Sequence, residues 1–99
     1  MNKQFEQKVL DNISLVPGLV GLSSLDFMND AKKLNTNNLK AGTSYEETSK
    51  GNIIRVAIFI NKNVRAKLIC TQIHSTIVQL FKKSNKKLNK VIIYVMGII

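Results

Sequence analysis

The stretch from Ile53 to Ile60 most narrows what this chain can fold into. Ile54, Val56, Ile58 and Ile60 alternate with Ile53, Arg55, Ala57 and Phe59. A period of two sends each set to its own face, so the segment reads as a largely buried strand. Asn61-Lys62-Asn63 breaks the pattern, and a helix is expected from about Val64 to Lys83. Its apolar face is Ala66, Ile69, Cys70, Ile73, Ile77, Leu80 and Phe81. A second alternating strand is expected over Val91–Val95, closed by Met96-Gly97. Strand, helix and strand in this order favour a parallel pair joined by a right-handed crossover.

The elements upstream have to fit that frame. Phe5, Val9, Ile13 and Val16, widened by Leu10, give an amphipathic helix over Lys3–Val16, ended by Pro17. Pro17-Gly18 reads as a turn and Leu19–Ser23 as a short extended segment, with Gly21 marking a bulge or a tight crossing. Leu25–Leu34 fits a short helix capped by Ser24 or Asp26, and Asn35–Gly42 reads as a loop. Thr43–Thr48 and the turn residues Ser49-Lys50-Gly51-Asn52 form a hairpin with the Ile53 strand. The expected architecture is α/β (α+β). It has a small mixed sheet of three to four strands, a β-hairpin and helices packed on one face, in the order helix–(strand)–hairpin–helix–strand. At 99 residues the chain is read as a single domain, 1–99, with one thin core.

Charge narrows the partners. The net charge is +9, and Lys82, Lys83, Lys86, Lys87 and Lys90 form the densest cluster. A field of this sign attracts phosphate-rich partners or anionic lipid. A chain rich in Lys, Asn and Ile together also matches the drift of an AT-rich coding sequence, so a compositional origin stands beside the functional one. Lysines at a helix C-terminus favour the helix dipole as well. The longest apolar run, Val91–Ile99, is far below the roughly 20 residues of a membrane-spanning helix. With no apolar leader after Met1-Asn2-Lys3-Gln4, the expected location is cytoplasmic.

The order of parts and three local patterns resemble the alkaline-shock and general-stress-protein family of envelope stress-response proteins. That family has an N-terminal helix leading into a Val-x-Gly-Val-x-Gly-(Leu/Met)-Ser-like segment. Here the segment is Val16-Pro17-Gly18-Leu19-Val20-Gly21-Leu22-Ser23. An alternating strand, a polar turn and a helix follow, here Ile54-x-Val56-x-Ile58-x-Ile60 and the helix after Val64. The family closes on an alternating strand with Gly-(Ile/Val), here Val91–Val95 and Met96-Gly97-Ile98. The resemblance covers nearly the whole chain and makes Val16, Gly18, Gly21 and Gly97 the family-like structural positions. It implies a small, non-catalytic cytoplasmic protein linked to the envelope stress response, working through protein partners or self-association. Some members are held at the inner face of the membrane by a separate anchor protein. No catalytic residue or cofactor comes with it. The chain departs from many members in its strong positive charge.

Reactive constellations are sparse. Cys70 and His74 share a helical face at i and i+4, but zinc needs three or four ligands and no further Cys or His exists. Burial is the ordinary role of a lone cysteine. Glu46 and Glu47 face opposite sides of a strand, and Asp26 and Asp30 form a like-charged helical pair, so neither is a good acid–base pair. Gly18-x-x-Gly21 is similar to the GxxG loop of KH RNA-binding domains, without the basic interior such loops carry. The residues expected to meet an anionic partner are Arg55, Lys82, Lys83, Lys86, Lys87 and Lys90. The alternative to a stress-type interaction protein is a small RNA-binding module. In it, Tyr45, Phe59 and Tyr94 would share one sheet face with Arg55 as a stacking surface.

Overall fold

The computed structural model describes residues 3–23 and 42–99. Helix α1 spans Lys3–Ile13 and strand β1 Leu19–Leu22. Strands β2 (Thr43–Thr48) and β3 (Gly51–Ile60) form the hairpin. Helix α2 (Ala66–Lys83) leads to strand β4 (Leu88–Ile98). The architecture is α+β, as the periodicities predict. The expected helix over Leu25–Leu34 and most of the expected loop at Asn35–Gly42 lie outside the described residues.

Strand β3 is the centre of the sheet. On one edge, β2 pairs antiparallel with Gly51–Val56, and β1 takes over antiparallel at Ile58–Ile60. These two strands therefore share one edge of β3 end to end. The Ser23 N–H donates to the Ala57 carbonyl (2.8 Å) between them. Along the other edge β4 runs parallel, from Asn52↔Leu88 to Ile60↔Ile98, with α2 as the crossover. The sheet is mixed because a two-residue turn can only reverse the chain, whereas an 18-residue helix can carry it back to the same end.

Both helices cover one face. Ile54, Val56, Ile58 and Ile60 meet Phe5, Val9, Leu10 and Ile13 from α1, and Ile69, Ile73, Ile77, Leu80 and Phe81 from α2, in one buried cluster. Each such side chain contributes about 1.5–3 kcal/mol by leaving water. Phe5 and Phe81 lock the helices together edge to face, with centroids 5.0 Å apart and rings at 87°. Such a pair adds about 0.5–1.5 kcal/mol beyond its burial.

Several boundaries differ from expectation. Helix α1 stops at Ile13 rather than Val16, and turn hydrogen bonds from Ser14, Leu15 and Val16 carry the chain to Pro17. Val16 is still buried, so its place in the apolar stripe marks burial and not helix. Strand β4 is much longer than Val91–Val95. Its pairing slips opposite Asn52/Ile53 and Ile58/Phe59, so Asn89 and Met96 are extra residues that blur the alternation.

The glycine segment also resolves differently. Gly18, not Gly21, has the left-handed backbone, at φ 90°, and a Cβ there would meet Ile69 Cδ1 at 2.8 Å. The bulge expected at Gly21 is present: register slips between Leu19 and Gly21, which leaves Val20 unpaired. Because Gly18 enters a strand and Gly21 lies in it, the pair does not join two helices as a KH loop does.

Gly51 opens β3 at φ 120°, and a Cβ on it would sit 3.0 Å from Lys87 O, Leu88 C and Asn89 N. These are backbone atoms and cannot swing aside. Gly51→Ala is expected to lower stability by about 1–3 kcal/mol, seen as a lower denaturant midpoint at unchanged slope.

Tyr45 is on the helix-covered face, opposite Ile54 in the register, and not on the face of Arg55. This corrects the expectation that it would join Phe59 and Tyr94. Its hydroxyl is buried without a hydrogen bond of good geometry. Burial pushes its pKa up to about 12, the Thr43 side chain opposing without offsetting it. A raised pKa means the folded state holds the proton more tightly. The fold therefore keeps its full stability with Tyr45 below pH 10 and loses part of it as pH climbs towards 12, where the unfolded chain ionises the hydroxyl more readily. Tyr45→Phe should remove that alkaline loss. At neutral pH it should be neutral to stabilising by about 1 kcal/mol, since an unpaired buried hydroxyl disappears. Thermal melts of both proteins from pH 7 to 11 check this.

Candidate anionic-partner site

The lysine cluster sits where α2 gives way to β4, and the backbone explains why. The Asn85 N–H donates to the Lys82 carbonyl (3.1 Å), and the Lys86 N–H to the Phe81 carbonyl (2.9 Å). Asn85 itself is left-handed, at φ 54°. This is a Schellman-type helix end with asparagine in the position glycine usually takes. It reverses the chain within two residues. The Lys87 carbonyl then accepts the Asn52 backbone N–H (2.9 Å) and its Nδ2 (3.1 Å), which delivers Leu88 into the sheet. Lys82 and Lys83 therefore lie in the last turn of α2, Lys86 and Lys87 in the connection, and Lys90 in β4.

Three of these lysines surround one cleft. A hollow of about 380 Å³ is lined by Lys82, Lys86, Lys90 and His74, over an apolar floor that includes Phe81 and Val91. No carboxylate lines it. Lys86 reaches over the Phe5 ring, its Nζ 5.1 Å from the centroid, a cation–π contact that holds its charge at the rim. Lys82, Lys83, Lys87 and Lys90 are exposed. Among the described residues none of the five forms an ion pair.

Arg55 is elsewhere. It lies on the sheet face opposite the helices and binds the Glu46 carboxylate at 3.0 Å. The same face holds Phe59 and Tyr94, as expected, yet Phe59 is only 8% exposed. The family-like positions are dispersed and structural. Val16 is buried beneath the helices, Gly18 turns the chain against Ile69, Gly21 sits beside the β1 bulge, and Gly97 lies opposite the Phe59 ring. None of them lines the lysine cleft.

Cys70 and His74 do share a face of α2, beside β4. Among the described residues no three His, Cys, Asp or Glu side chains gather where a metal ion could be held. No helix among them is long and apolar enough to cross a membrane. Burial pushes the Cys70 thiol pKa up, the opposite of what an activated nucleophile needs. No protein-family model matches the chain, and no curated protein or solved structure does either.

The cleft is not visible in the sequence, where the lysines form a run; the helix end and the Asn89 bulge fold them around a hollow. The usable signal was Asn85, an asparagine just past the last apolar-periodic residue. Cys70 should react with iodoacetamide at neutral pH more slowly than a free thiol. The rate should keep rising beyond the pH at which a free thiol's levels off.

Proposed function

We propose that this chain is a non-catalytic interaction protein of the alkaline-shock kind, which engages a protein partner through its lysine-rich end. The observation that carries the reading is the cleft ringed by Lys82, Lys86 and Lys90 with no carboxylate among its lining residues. Like charges gathered around an apolar floor complement a partner surface of the opposite sign and steer its approach. The pattern Val16–Ser23, the alternating strands and the closing Gly97-Ile98 support the family reading, with a cytoplasmic place or one at the inner face of the membrane beside an anchor protein. The raised pKa of the Cys70 thiol supports a role without catalysis.

RNA binding is the second reading, favoured by Arg55, Phe59 and Tyr94 on one sheet face. Against it, Glu46 already holds the Arg55 guanidinium, and Phe59 offers little surface for a base to stack on. Binding to labelled RNA, single-stranded DNA and duplex DNA across a salt series separates the two. The expected result is weak binding that vanishes near physiological salt. Tight binding that survives it would replace the protein-partner reading with the nucleic-acid one. In that case, neutralising each contacting lysine should flatten the salt slope by about 0.7–0.9.

A further inference from the structure

The lysine cleft is one half of a longer feature. A second hollow, of about 330 Å³, lies between α2 and β4 and is lined by Lys67, Cys70, Thr71, His74, Val91 and Ile93. The two share His74 and Val91, so together they form a groove along the flank of α2 above β4. Its other wall is an edge strand: among the described residues β4 pairs with β3 alone. A strand edge beside a helix, with a groove between them, is the geometry by which domains add an extended peptide to a sheet.

We infer that this groove takes an extended acidic peptide segment of a partner protein, laid as an additional strand on β4 beside α2. The inference rests on the protein-partner reading and names the partner's chemistry. Every charged side chain lining the groove is a lysine: Lys67, Lys82, Lys86 and Lys90. Val91 and Ile93 supply the apolar floor for alternate side chains of the added strand. From Lys67 to Lys82, α2 is about 22 Å long at 1.5 Å per residue. That matches roughly seven extended residues. A second copy of this chain would bring another +9 and the same lysines to the same edge, so charge favours an acidic partner over self-pairing.

The test uses a fluorescein-labelled peptide of four Glu-Val repeats at physiological salt, with a Lys-Val peptide as its sign-reversed control. Anisotropy should rise with the acidic peptide only. N-methylation of alternate residues, in one of the two frames, should weaken binding at least tenfold, because it removes the N–H groups facing β4 and leaves charge intact. Lys82→Glu with Lys86→Glu should also cost at least tenfold. Lys8→Glu with Lys62→Glu, an equal change in net charge outside the groove, should cost less than twofold. Bound peptide should slow alkylation of Cys70, the chain's only cysteine. Absence of binding, or binding indifferent to N-methylation in both frames, overturns the inference. So does light scattering that shows a dimer in which the groove no longer takes peptide. Peptide failure without salt-resistant nucleic-acid binding removes the groove assignment alone, whereas salt-resistant nucleic-acid binding removes the reading on which it rests.

Discussion

Everything in this molecule depends on β3 being paired along both edges while its core face is sealed by helices. Ile54, Val56, Ile58 and Ile60 are each no more than 1% exposed. A strand so enclosed must find a partner for every backbone donor and acceptor, because an unpaired group there costs about 1–3 kcal/mol. The hairpin supplies one edge as far as Val56, β1 completes it, and β4 supplies the other. The helices then have one available surface, and Phe5 against Phe81 fixes how they share it.

The sequence was most legible where one physical demand acts alone. Period-two alternation located β3, and the i, i+3, i+4 spacing of Ile69, Ile73, Ile77 and Leu80 located α2, because burial sets both patterns. It was less legible where two demands compete. Val16 sits in the helical stripe of α1 but is buried from a turn. Asn89 and Met96 interrupt β4 with bulges, so a long strand reads as a short one. Tyr45 was misplaced because a β-prone segment shows its period and not which face is the inside; register, set by the Ser49-Lys50 turn, decides that.

The candidate site was legible in composition and hidden in shape. Five lysines over nine positions read equally well as solvated charge. What converts them into a lined hollow is backbone chemistry at Asn85 and the extra residue Asn89, and neither carries charge. The positions that resemble the stress-protein family are, by contrast, places where the chain turns or packs. Such residues bear on how the chain turns and packs more than on the surface it presents.

The shared edge of β3 also divides the strand by the entropy of assembling it. Its first half is closed by a two-residue turn, so β2 and Gly51–Val56 can meet at little cost in chain freedom. Its second half waits for β1, whose Leu22 must find Ile58 across a long intervening stretch of chain. Loop closure of that length costs more, and it must precede any reward from the contact. One continuous strand thus joins a locally encoded half to a distantly encoded one, and Ala57, where Ser23 donates its N–H, is the junction between them.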